Sequence, residues 1–197
     1  MYPSEENLPV LLAMDRDRYF SHLVETYQHK LYALALGLVG NHQDAEEIVW
    51  EAFFSAYQAL GRYTVQQVQT LKLRSWMSKI VVNLARNHHR HQNGSCRPAF
   101  VSFDTTAVQE LVENMEANTC PSPEMEMVSR ESRDELYALV AKLPEPYREV
   151  VGLHFIYGLQ YREIAELLNY HSVDTVKSQG HRGIQILNQA PEEKEER

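Results

Sequence analysis

Between Lys72 and Arg90 the polar residues follow a helical period. Lys72, Lys79, Asn83, Arg86 and Arg90 are separated by 7, 4, 3 and 4 residues, which a helix brings to one face. Asn87 lies beside that face and adds a second amide. Cations of this kind neutralise phosphates, and an amide can hydrogen-bond a base edge, so the pattern predicts a nucleic-acid-binding helix. Trp76, Ile80 and Leu84 are read as the buried stripe on the opposite side, together with Leu73, Met77 and Val81. The competing reading is a basic solvated helix with no ligand.

Charge along the chain favours the first reading. The formal net charge of the 197 residues is −8, which by itself argues against phosphate binding. That average conceals a segregation. From Arg62 to Phe103 there is no Asp or Glu, and seven Lys or Arg give the stretch +7, leaving −15 on the rest. A long acid-free window of this sort is the electrostatic footprint of a polyanion contact. His88, His89, His91 and Cys96 invite a metal hypothesis, but their spacing matches no familiar closed site, and no metal or cofactor is assigned. Partial protonation of the imidazoles, adding positive charge toward DNA, is the more economical role. Cys96 and Cys120 form no disulfide or metal framework and read as ordinary thiols of a reducing cytosol.

The elements that must carry these residues are helical nearly throughout, so the fold class is all-α. Phe20, Leu23, Val24, Tyr27, Leu31, Leu34, Ala35 and Leu38 recur at helical spacing until Gly40-Asn41 breaks the pattern. Ala45, Ile48, Val49, Ala52, Phe53, Ala56 and Leu60 make the next stripe, with Asn41 as its N-cap. With the basic helix these form a three- to four-helix bundle, assigned to residues 10–92. Residues 93–129 carry breakers at Asn93-Gly94-Ser95 and Pro121-Ser122-Pro123. From Asp104 to Val128 there are six acids and no Lys or Arg, so this segment reads as a flexible acidic tether.

A second helical domain is expected over 130–190, followed by a charged tail over 191–197. Leu136, Leu139, Val140 and Leu143 form one apolar face. Tyr147, Val150, Val151, Leu153 and Phe155 form another, on a helix begun by Pro144 and Pro146 and ended by Gly158. Two short helices joined through Asn169 to Ser172 then give a helix-turn-helix pattern.

Several of these segments also resemble a known family. Asp44-Ala45-Glu46-Glu47-Ile48-Val49-Trp50-Glu51-Ala52-Phe53 resembles conserved region 2 of extracytoplasmic-function (ECF) sigma factors, as does the run from Leu73 to Asn87. Leu143-Pro144-Glu145-Pro146-Tyr147-Arg148-Glu149-Val150-Val151 is similar to the opening of region 4. Gly158 to Ala165 and Thr175-Val176-Lys177-Ser178 continue the likeness. The resemblance implies a cytoplasmic, non-catalytic subunit that directs core RNA polymerase to promoters. Asp44, Glu47 and Glu51 would bind the clamp helices of the polymerase largest subunit. Lys72, Lys79, Asn83, Arg86, Asn87 and Arg90 would recognise and open the promoter's −10 element, with Asn83 capturing an unstacked base. Thr175, Lys177, Ser178, Gln179, His181 and Arg182 would read the −35 element in the major groove. The tether would thread the polymerase interior, and an anti-sigma factor is a further expected partner.

Three departures from the family pattern stand out. Trp50 occupies a position where the family usually has Gln, and the turn around Tyr170-His171-Ser172-Val173-Asp174 is one residue longer than usual. The last helix contains Gly180 and Gly183, and each glycine costs about 1 kcal/mol against alanine in a helix interior. This predicts a recognition helix weakly formed without DNA or a partner, and with few cations its phosphate affinity should be modest. A stand-alone helix-turn-helix regulator explains the C-terminal half but not the basic helix or the tether. A sigma-like adaptor without promoter binding is the other alternative. No phosphate loop, nucleophile elbow or HExxH motif marks an enzyme. The chain has no run of 18 apolar residues to insert in a membrane and no basic-then-apolar leader at its start.

Overall fold

The computed structural model describes residues 5–92 and 133–189, and every regular element among them is helical. In chain order they are α1 (Leu8–Met14), α2 (Arg16–Val39), α3 (His42–Arg62), α4 (Val65–Gln69) and α5 (Leu73–Gln92). The second half has α6 (133–141), α7 (Glu145–Val151), α8 (Tyr161–Leu168) and α9 (Val173–Gln189). α7 runs on into one wide i→i+5 turn, Gly152–Ile156, closed by the Tyr157 N–H on the Gly152 carbonyl at 2.9 Å. The tether, Cys96, Cys120 and the charged tail lie outside the described residues.

Short side chains set the helix boundaries. The Asp15 carboxylate accepts from the Arg18 N–H and opens α2. Gly40, at φ 80°, closes it in the left-handed conformation, with its N–H on the Leu36 carbonyl. Asn41 then starts α3 at once, accepting from the Asp44 N–H at 2.8 Å, as its N-cap assignment anticipates. Thr64 and Gln67 cap α4 reciprocally.

α2, α3 and α5 pack into a bundle whose centre is fully enclosed. Leu23, Leu31, Leu34 and Ala35 of α2 meet Ala45, Ala52 and Ala56 of α3 and Met77 and Val81 of α5, all without exposed surface. Alanines on the inner face of α3 let the backbones come close. Val150, Leu153, Tyr157, Leu159, Ile164 and Val176 of the second half belong to the same apolar cluster. Among the described residues one core therefore runs through both halves, and Val140, Leu143 and Val151 form a separate small cluster.

Three readings from periodicity change here. Phe155 is 55 % exposed, because the wide turn adds a residue and rotates it off the face that carries Val150 and Leu153. Leu136 and Leu139 are exposed too, since α6 turns Tyr137 toward the main core and Val140 into the small cluster and leaves these two leucines on its outer side. The last helix is not weakly formed: α9 is continuous from Val173 to Gln189. Its glycines are buried contact points with α7 and α8, where tertiary packing offsets their low propensity. A Cβ on Gly183 would lie 2.6 Å from Val151 Cγ2, and one on Gly180 would lie 3.2 Å from the Tyr161 ring.

Gly183→Ala should therefore destabilise the protein, the propensity gain of about 1 kcal/mol being exceeded by an overpacking cost of about 1–3 kcal/mol against a stiff β-branched side chain. Thermal unfolding checks this. The midpoint should fall for Gly183→Ala and fall less for Gly180→Ala, and a rise in the first would mean that α9 is not seated on α7.

Candidate nucleic-acid and polymerase interface

α5 carries the basic face. Leu73, Met77, Val81 and Ala85 form its buried side, joined by Ser78 and Val82. Lys72, Lys79, Asn83, Asn87 and Arg90 reach solvent, so the helix does set five of the six candidate −10 residues on an exposed surface. Arg86 is the exception. It is half-buried, with Nε and NH2 on the two oxygens of Glu149, the NH2 contact at 2.5 Å, and Glu145 3.7 Å from Nε. The hydrogen-bonded Glu149 carboxylate outweighs the opposing effect of burial and holds the Arg86 guanidinium pKa above its ordinary value.

Trp76 does not lie opposite the cations. Seven residues separate Lys72 from Lys79 and Trp76 sits between them, so helical geometry puts it at the edge of the basic face. In the structure it is half-buried and lines an open groove of about 220 Å³ with Leu71, Lys72, Ser75 and Lys79, closed on the far side by Glu163, Glu166 and Leu167 of α8. An aromatic ring flanked by two ammonium groups can stack a base while the cations hold its phosphates. Trp76, expected in the buried stripe, packs one side on the core and leaves the other in this groove, a placement that its rotation from Lys72 and Lys79 signals.

On α3 the three candidate acids share a side, but differ in what they touch. Glu47 and Glu51 are exposed, one turn apart. Surrounding protein, and then the Glu47 charge, push the Glu51 carboxyl pKa up. Asp44 is instead engaged locally, holding the Asn41 amide and His88 Nε2, the latter at 2.8 Å. His89 faces the Leu38 carbonyl at 3.0 Å. These two imidazoles therefore tie the end of α5 to α2 and α3.

On α9, Thr175, Ser178, His181 and Arg182 are exposed. Lys177 is exposed at the edge of that surface, 3.8 Å from Asp174. Gln179 turns inward instead, beside the Val176–Gly180–Gly183 side, and its Oε1 is buried without a partner among the described residues. Two basic residues missed as structural also emerge. Arg74 donates to the Tyr157 and Gly158 carbonyls at 2.7 and 3.0 Å, while the buried Tyr157 hydroxyl donates to the Arg74 carbonyl at 3.1 Å. Arg148 donates to the Ala141 carbonyl, burial lowering its pKa. No helix among the described residues is long and apolar enough to cross a membrane.

An acidic helix, a basic helix and a helix-turn-helix on one all-α frame define a nucleic-acid-binding transcription protein by class. Comparison with known proteins makes this specific. Residues 23–94 match the Sigma-70 region 2 family and residues 133–187 match Sigma-70, region 4. The ECF RNA polymerase sigma factor SigW of Bacillus subtilis is 31 % identical over 85 % of this chain and 86 % of its own length. The ECF RNA polymerase sigma-E factor of Escherichia coli is 30 % identical over 86 % of this chain and 84 % of its own. The fold is shared with CnrH, solved in complex with the cytosolic domain of CnrY, at a TM-score of 0.59 and 22 % identity over 93 % of this chain and 94 % of that one. The chain belongs to the ECF sigma factors of the sigma-70 family, and it is an RNA polymerase sigma factor for promoter-specific initiation of transcription.

Proposed function

We propose that residues 10–92 bind core polymerase and open the −10 element, that 93–129 form the connecting linker, and that 130–190 bind the −35 element. The observation that carries this division is the placement of Lys72, Lys79, Asn83, Asn87 and Arg90 on the solvent side of α5 and its start, with Lys72 and Lys79 flanking Trp76. Unstacking a base costs a few kcal/mol, which backbone cations and a stacking ring can offset. Asn83 is the residue proposed to hydrogen-bond the extruded base, Trp76 the ring that stacks beside it. Glu47 and Glu51 are proposed to meet the clamp helices of the polymerase largest subunit, with Asp44 shaping that end of α3. Arg86 is proposed as a phosphate contact once released from Glu149.

The −35 contacts are proposed for Thr175, Lys177, Ser178, His181 and Arg182, which line the exposed side of α9. Gln179 takes a supporting place, given its inward turn. An anti-sigma factor is proposed as a partner, supported by the family and by the solution of CnrH with the cytosolic domain of a second protein.

The test for the second half is salt dependence. Lys177→Ala and Arg182→Ala should each weaken binding to a −35 duplex severalfold, and each should lower the slope of log affinity against log salt by about 1. Titrations of the polymerase-bound chain at several salt concentrations measure it. An unchanged slope would mean that α9 does not face DNA.

A further inference from the structure

The face of the first half that meets the second is built for close approach. A Cβ on Gly37 of α2 would lie 2.5 Å from Ile156 Cδ1, and one on Gly40 would lie 2.7 Å from the Ala141 Cβ. Gly152 returns the fit, sitting against Leu34 and Leu38 of α2. Around this apolar seam stand two sets of polar ties. At one end Arg74 and Tyr157 exchange two hydrogen bonds, and Arg74 donates a third to the Gly158 carbonyl. At the other, Arg86 holds Glu149, whose side chain is only 4 % exposed.

Glu149 is the informative residue. A buried carboxylate is unfavourable unless paired, and its cation comes from a helix in the other half of the chain. That cation is also one of the six basic-face residues. A carboxylate engages a guanidinium with the same two-oxygen fork that a phosphate uses, so the two compete for one partner.

We propose that Glu149 is an internal stand-in for a nucleic-acid phosphate on Arg86, latching the two halves of the chain closed over the α2–α5 face until DNA displaces it. This rests on the reading of Arg86 as a phosphate contact. Closing the latch withdraws Arg86 from the basic face and brings Glu163 and Glu166 across the groove from Lys72 and Lys79. DNA then binds only the open fraction of molecules, and its apparent affinity is reduced by that fraction. The latch thus makes DNA capture by the first half and release of the second half one coupled event.

The test uses the full chain with Cys96→Ser and Cys120→Ser, carrying donor and acceptor dyes at Gln66→Cys and Asn188→Cys, both exposed positions on opposite halves. The ligand is a mixed-sequence single-stranded DNA of about 16 nucleotides, at the upper end of the single-strand site sizes of small binding folds. Adding it to the otherwise unchanged chain should lower energy transfer. Glu149→Gln should lower transfer without DNA and tighten DNA binding about tenfold. Glu135→Gln makes the same charge change at an exposed site and sets the baseline for simple loss of repulsion.

Transfer that stays constant under saturating DNA, with Glu149→Gln binding no tighter than Glu135→Gln, overturns the latch. Should Glu149→Gln fail to fold, the DNA titration of the unsubstituted pair decides alone. Adding Arg86→Gln to Glu149→Gln should remove the tenfold gain. If that double variant opens but keeps the gain, closure by Glu149 stands, while the phosphate role of Arg86 and the competition built on it fall.

Discussion

Replacing Glu47 and Glu51 together by lysine is expected to weaken binding to core polymerase by at least about 100-fold, since like charges juxtaposed across an interface cost several kcal/mol. The two carboxylates sit one helical turn apart on the exposed side of α3, where like charges destabilise a helix slightly. The pKa of Glu51 is raised first by the surrounding protein and only then by the Glu47 charge. A cationic partner surface would be attracted by the two carboxylates and repelled by two lysines. Neither side chain contributes to the core, so the double variant should unfold within a degree or two of the parent, as surface changes usually do. Fluorescence anisotropy with core polymerase, paired with thermal unfolding, reads both quantities. Unchanged affinity in a folded variant would move the polymerase contact off α3.

Asn83→Ala should reduce open-complex formation roughly 10- to 100-fold, the range expected when a base-specific hydrogen-bonding partner is removed. Asn83 is exposed on α5, between Lys79 and Arg90 on the basic face and away from the Met77–Val81 side. Its loss therefore leaves the bundle and the α3 acids intact. Binding to core polymerase should be unchanged while the defect shows in promoter melting, followed by the reactivity of unpaired bases. An equal loss of both would sink the assignment, because it would mean that Asn83 supports the fold. Trp76→Ala is the companion: it should impair melting while duplex binding by α9 stays as it was.

The helices themselves were legible because their stripes obey one period and their ends carry strong local signals. Gly40-Asn41, Pro144 and Gly158 each stop or start a helix by backbone geometry that needs no distant partner. The misreadings have a shared cause. Apolar spacing puts Trp76 and Phe155 in buried stripes and helix propensity makes Gly183 a cost, whereas their place depends on rotation and on a neighbour far along the chain. One wide turn after Val151 is enough to move Phe155 to solvent. Val151 and Tyr147 are enough to turn Gly183 from a weakness into a contact. The basic face was legible as spacing. That Arg86 within it faces Glu149 was not, because 63 residues separate them and no local pattern pairs them. The same holds for Arg74, counted among the cations and used instead to tie the halves together.

The central claim is that this chain gives RNA polymerase its promoter, through an α3 that binds the enzyme and an α5 that opens DNA. Reconstitution with core polymerase on genomic promoter fragments, followed by mapping of transcript starts, measures it directly. Transcripts should begin at discrete sites only when the chain is present, and Asn83→Ala should suppress them without releasing the chain from polymerase. Polymerase binding with no promoter-dependent start, or tight duplex binding with no polymerase association, would contradict it.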